Sequence, residues 1–465
     1  MFVIDLQVAV DSCIHDYIGG GVFFVSGVSA EQSDLFSVGV AKVDITPHGA
    51  IRLAGYANRR EPSQGVASKI WAKALVIGSD DQKPSVLITA ELIRAPGVLV
   101  EALAARLKKK MGLERSQLAV CVTHTHSGPA LSSMLVDSYF GSNIPAPQKA
   151  RIKQYTDHLL DLLEQLVLDA LDNRQPSQLS WDEGLVGFAT NRRMVKDGKW
   201  VGMRPNEAGV VDHALPVLRV LGAEGELRAL FLSYACHGTT YGSKFNKIHG
   251  DWAGAAAQIL EDKHPDCIAM VALGCGGDAN PKPRGVAAGF DVVNRHGQAV
   301  AGEVERLLEG GMKVLKSKPD CRIKQIELSV DHVPGRDELQ QRLKQGANAA
   351  YFAQVMLDRL DRGEVTPAAF SYPIQVWNFG EDLSMVFLAG EVVAGYSLRL
   401  KRESGRRSLW VNAYSNDDPC YIATKKMIPE GGYEVDQSMD SFAKASRLSL
   451  DVEDKIIEAT LSLLR

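Results

Sequence analysis

A single large α/β domain, with mixed sheets, β-hairpins and flanking helices, is the fold class this sequence predicts. Three observations carry that prediction. Short apolar runs of strand character recur along the chain, segments of helical period alternate with them, and two strand pairs are joined by tight turns, which a purely parallel sheet would not need. The chain has 465 residues, 45% of them hydrophobic, enough to bury an extensive core.

The elements follow in order. From Ser37 the run VGVAKVDIT alternates apolar and polar residues and closes at Pro47 and Gly49. AKALVIGS, the turn DDQKP and SVLITAEL read as a hairpin. Residues 98–111 have helical period, 118–123 (LAVCVT) form a short β-rich run, and 147–173 form a long amphipathic helix with proline at its start. Strand-like runs recur at 214–221, 227–235 and 267–273, with a helix at 252–262 and another at 291–308. A second hairpin joins 372–379 to 383–388, and 439–464 reads as a closing helix or helix pair. Residues 1–36 stand apart as an N-terminal extension. Within it, 18–30 (IGGGVFFVSGVSA) resemble the apolar core and small-residue end of a signal peptide, although no Lys or Arg precedes them.

Composition narrows the function classes. The formal net charge is −4 and basic residues are scattered, so no concentrated basic surface for nucleic acid is expected. Seven cysteines occur without a CxxC pair, which argues against a zinc ribbon or a thioredoxin-like motif. Cys121, Cys236 and Cys267 lie in apolar runs and read as buried, inert thiols. No apolar run reaches transmembrane length.

The sharpest local feature is Thr123-His124-Thr125-His126-Ser127-Gly128-Pro129, directly after a strand. Residues two apart on an extended chain share a face, so His124 and His126 would project together. They could share a metal, divide metal binding and proton transfer between them, or simply be hydrogen-bonded in a loop. FLSYACH repeats the context, delivering His237 from a strand end into a small-residue loop. Glu391, after LAG, ends the second hairpin; it is either a metal carboxylate or an acid favoured by a helix N-terminus. The loop Gly274-Cys275-Gly276-Gly277-Asp278-Ala279-Asn280-Pro281 permits close backbone approach to a ligand but lacks the ending of a P-loop. Tyr414, Tyr421 and Tyr433 lie in polar, glycine-containing segments, where a tyrosine can support an oxyanion, ligate a metal or pack its ring.

Together, VGVAKVDITP, AGYA, THTHSGP, YACHGT, HGDWAG, GGDANP, AGE and NAYSN…YIAT…GGYE resemble the neutral, non-lysosomal ceramidase family, in the family's order and over about residues 37–434. The resemblance implies that 37–465 is a catalytic domain without the family's C-terminal β-sandwich. It implies one zinc ion held by His124, His237, Glu391 and Tyr421. It places His126 beside the metal, Arg192 on the substrate side, Tyr433 as an oxyanion donor, and Asp278 and Asn280 against the substrate. The implied activity is hydrolysis of a linear amide, in ceramide or another N-acyl compound, by water activated at the metal. Two alternatives keep the fold: a non-sphingolipid amide or ester as substrate, or an inactive binding protein. The latter is prompted by Asn280, which stands where the family usually has serine. The family's typical location implies secretion or a periplasmic site.

Overall fold

The computed structural model describes residues 35–132, 144–285 and 289–465. The signal-like run at 18–30 lies outside the described residues. A nine-stranded sheet forms the centre, in the order Ile268–Leu273, Leu227–Tyr234, Ala214–Gly222, Gln175–Leu185, Leu35–Asp44, Trp71–Ile77, Ser85–Ala90, Leu118–Val122. Lys313–Val314 adds to Gln175–Leu185 off this path. The pairs at the two ends are parallel and those between are antiparallel, which confirms the mixed α/β class.

Side-chain alternation explains why so many strands read as unbroken apolar runs. Leu75 and Ile77 point to one face of the sheet, whereas Ala72, Ala74 and Val76 point to the other, and both faces are buried. One face packs on a four-stranded sheet of Asp320–Ser329, Ala369–Phe379, Leu383–Leu388 and Leu409–Asn412. Phe231 and Met270 meet Trp377, Met385, Phe387 and Trp410 there. Helices Ala146–Asp172 and Asp251–Lys263 cover the opposite face of the large sheet, and Val452–Leu464 covers the outer face of the small one. Each helix buries an apolar stripe: Ile152, Leu159, Leu163 and Leu166 on the long one, Ile456 and Ile457 on the last.

The large sheet curls until the strands at its two ends, Leu118–Val122 and Ile268–Leu273, approach each other. Residues 412–416 stitch them together. Ala413 N donates to Leu273 O at 2.9 Å and Asn416 N donates to Val120 O at 2.7 Å. The loops leaving both ends therefore meet at one seam.

Most of the elements read from the sequence form within a residue or two, including the hairpin of Trp71–Ile77 with Ser85–Ala90 and that of Ala369–Phe379 with Leu383–Leu388. The closing helix is shorter than expected. Residues 439–442 form a single 3₁₀ turn, Ala443 is left-handed (φ 52°), and the α-helix begins only at Val452. The strands Ala189–Lys196 and Lys199–Asn206 were not singled out from the sequence.

Candidate metal centre

Five of the side chains singled out from the sequence converge at the seam. His124 follows the edge strand, fully buried and in the left-handed region at φ 49°, a strained backbone state for a residue with a side chain. Its Nδ1–H donates to Ile93 O at 2.7 Å. His237, also fully buried, donates Nδ1–H to Gly276 O at 2.8 Å. Both imidazoles are thus held in the tautomer whose Nε2 carries a lone pair. Parallel pairing of Glu391–Val392 with Tyr421–Ile422, Glu391 opposite Tyr421, brings the carboxylate and phenol side by side.

The distances define a cluster of donor atoms. Glu391 Oε2 lies 3.2 Å from His124 Nε2 and 3.1 Å from His237 Nε2. Tyr421 Oη lies 3.2 Å from His237 Nε2, and His126 Nε2 lies 3.2 Å from His124 Nε2. Beyond those two imidazoles, Glu391 Oε2 is buried without a hydrogen-bond partner. With the imidazoles neutral, their lone pairs face the carboxylate oxygen with no proton to share between them. They fit a cation, since ligand atoms about 2.1 Å from a tetrahedral metal sit roughly 3.4 Å apart. The three histidines, His124, His126 and His237, form a group that could hold a metal ion.

Electrostatics agree with that arrangement. Burial alone would raise Glu391, but the facing His124 and His237 rings hold its carboxyl well below the ordinary range. Burial, together with the charge of Arg192, pushes His237 down to about 3. Half-buried His126 is also pushed down, by burial and by its two histidine neighbours, and its Nδ1 has no partner. Burial thus disfavours the cationic form of His126 and His237, and the Glu391 carboxylate is ionised at neutral pH.

The AGYA segment shapes the space for His126. A Cβ at Gly55 (φ +98°) would come within 2.6 Å of the His126 ring, while the Tyr56 ring packs 4.9 Å from it. Arg59 Nη2 donates to the His126 carbonyl.

Arg192 lies beside this cluster with 4% of its surface exposed. It donates from Nη2 to Tyr421 Oη at 3.1 Å, from Nη1 to Asn280 Oδ1 at 3.3 Å and from Nε to Glu434 Oε1 at 2.8 Å. Arg193 instead binds Glu434 Oε2, Glu430 and the Gly431 carbonyl. An irregularity in the strand register between Asn191 and Arg193 lets both guanidinium groups reach one carboxylate. Tyr433 packs its ring 5.5 Å from that of Tyr421, and burial beside Glu391 pushes its phenol up to about 12, so it remains a donor. Asp278 sits deeper. Its Oδ1 accepts the Ala394 N–H and its Oδ2 accepts Asn191 Nδ2, each at 2.9 Å, and burial pushes it up to about 6. Asn280 faces Arg192 and Thr239.

Three contributors, Glu434, Asp251 and Trp252, received no role from the sequence, and Tyr414 only the general one shared by the loop tyrosines. Glu434 holds both arginines. Tyr414 packs its ring, tilted by 40°, 4.4 Å from the His124 ring, and its hydroxyl has no hydrogen-bond partner among the described residues. Asp251, left-handed at φ 54°, accepts the N–H groups of Thr240, Tyr241 and Trp252. Trp252 Nε1 donates to the His237 carbonyl at 3.0 Å. All four stand inside the quoted GGYE, HGDWAG and NAYSN runs, but an acid next to a glycine carries no local sign of its distant partners.

Comparison with known proteins follows this geometry. The model of the neutral/alkaline non-lysosomal ceramidase family, N-terminal, matches residues 36–367. A rice neutral ceramidase is 24% identical over 235 residues, 49% of this chain and 29% of the relative. A Drosophila melanogaster neutral ceramidase is 26% identical over 256 residues, 52% of this chain and 34% of the relative. The alignments thus span about a third of the length of these relatives. The crystal structure of neutral ceramidase from Pseudomonas aeruginosa superposes with a TM-score of 0.68 at 18% identity, covering 92% of this chain and 74% of that one. At that identity the likeness establishes the fold.

Proposed function

Because this chain belongs to the neutral/alkaline non-lysosomal ceramidase family, we propose that it is a zinc-dependent amidohydrolase acting on a linear N-acyl amide, ceramide or a related compound. The observation that carries this reading is the convergence of His124 Nε2, His237 Nε2, Glu391 Oε2 and Tyr421 Oη within 3.2 Å steps. These four residues would hold the ion. When bound there, zinc supplies a Lewis acid that polarises a carbonyl and acidifies water.

The chain's own groups supply the rest. His126, whose Nε2 lies 3.2 Å from His124 Nε2, accepts the proton of the attacking water and returns it to the departing amine nitrogen. Tyr433 and Arg192 donate hydrogen bonds toward the oxygen that gains charge as the carbonyl becomes tetrahedral. Asn280 offers no nucleophilic oxygen, so water attacks the carbonyl directly and no acyl-enzyme forms. Asn280→Ser should change the rate only modestly; a large gain with a trappable acyl-enzyme would rule out direct attack.

The deciding experiment is hydrolysis of a fluorescent short-chain ceramide by zinc-loaded protein, with a chelator-treated control and His124→Ala. Chelator-sensitive turnover that is lost together with metal content in His124→Ala supports the reading. Turnover indifferent to both would refute the site. Among the described residues no helix is long and apolar enough to cross a membrane. The signal-like run supports a secreted or periplasmic location, which fractionation and N-terminal sequencing of the mature protein would test.

A further inference from the structure

What the rest of the substrate looks like is a question the cavity beside Arg192 addresses through its charge. This cavity, of about 340 Å³, is walled by Thr190, Arg192, Arg204, Asn280, Lys282 and Arg284, with methionine and prolines completing it and no carboxylate on its lining. Its volume is near the lower end for small-molecule sites, enough for a compact polar group.

The cations differ in how they are balanced. Arg192 shares Glu434 with Arg193. Lys282 pairs with Glu207 on its exposed side. Arg204 and Arg284 have no carboxylate partner among the described residues. Among the described residues Arg284 Nη1 donates only to Thr239 Oγ1, at 3.3 Å, and the Thr239 hydroxyl donates in turn to Asn280 Oδ1, at 3.2 Å. Asn280 Oδ1 also receives Arg192, so its orientation is set and its amide N–H groups are left as donors. The cavity therefore presents guanidinium and amide donors, continuous through one hydrogen-bond chain with the arginine that touches Tyr421. Forked guanidinium donors are the groups that best match carboxylate and phosphate oxygens.

Resting on the amide-hydrolase reading, we propose that this cavity binds an anionic oxygen group carried by the substrate, a carboxylate or a phosphate, and that the enzyme prefers anionic N-acyl compounds over neutral ones. Arg204 and Arg284 are the residues that set the preference.

The test compares N-octanoylglycine, the phosphate ester of N-octanoylethanolamine and neutral N-octanoylethanolamine on zinc-loaded protein, by kcat/KM and by calorimetric binding. The expected result is at least a tenfold advantage for one of the anionic compounds. Which of them leads identifies the anion. Arg204→Gln and Arg284→Gln together should lower the anionic-to-neutral ratio at least tenfold. Both side chains are exposed, so the fold should tolerate the change. Equal kcat/KM for all three, or a ratio unmoved in the double variant, overturns the proposal. If none is turned over, binding decides. Tighter binding of an anionic compound that the double variant loses upholds the cavity while sinking the amide-hydrolase reading. Equal or undetectable binding overturns the cavity assignment.

Discussion

Glu434 is fully buried and pairs with two guanidinium groups at once, with Arg192 at 2.8 Å and Arg193 at 2.6 Å. Glu434→Gln would leave buried Arg192 without its carboxylate partner and Arg193 with Glu430 alone. Breaking such a network costs roughly 3 kcal/mol. We expect a lower denaturation midpoint and at least a tenfold loss of kcat at saturating metal; unchanged stability would mean that water or Glu430 replaces the carboxylate. The two tyrosines should separate cleanly. Tyr433→Phe removes a donor without touching the metal cluster, so kcat should fall about 100-fold while zinc stoichiometry stays at one. Tyr421→Phe should weaken zinc binding itself, measured by competition with a chromogenic chelator. The opposite pattern would exchange their roles.

At the level of elements, the site depends on loops held against one another by backbone contacts. Thr125 and Gly238 form a parallel bridge between the two histidine loops, and His126 N donates to Gly238 O at 3.0 Å. A Cβ at Gly238 would lie 2.6 Å from the His124 carbonyl oxygen. Gly238→Ala should therefore push the loops apart, with at least a tenfold weaker zinc affinity and little change in circular dichroism. An unaltered affinity would show that the bridge yields without moving His124. Asp251 does the corresponding work at the start of Asp251–Lys263, accepting three N–H groups while Trp252 holds the His237 carbonyl. These contacts explain why a left-handed aspartate is tolerated there: its carboxylate satisfies donors that the turn would otherwise bury.

At the scale of the whole molecule, Glu91 is a buried acid whose proton affinity couples folding to pH. Burial pushes it up to about 7, with Lys73 opposing and Glu261 reinforcing the shift. The unfolded chain has the ordinary carboxyl value, near 4.5. The folded state thus holds this proton more tightly, so Glu91's contribution is fully present below about pH 4.5 and fades as pH rises toward 7. The span is of the order of 3 kcal/mol. Glu91→Gln should flatten the stability profile across that window in urea titrations; an unchanged slope would assign the pH dependence to other groups. Much of this organisation was legible beforehand, because strand and helix periods, turn residues and histidines at strand ends are local properties written in neighbouring residues. That is how the mixed α/β class, the hairpins and the strand-end placement of His124, His237 and Glu391 could be read, whereas their grouping into one site came from the family resemblance. The short final helix was misjudged because its apolar spacing continues through 439–451, where a left-handed Ala443 and non-local contacts break the helix. Glu434, Asp251 and the Arg204–Arg284 cavity were invisible for a related reason. Their partners are distant in sequence, and only the curling of the large sheet, which brings its two ends to one seam, decides which charges meet.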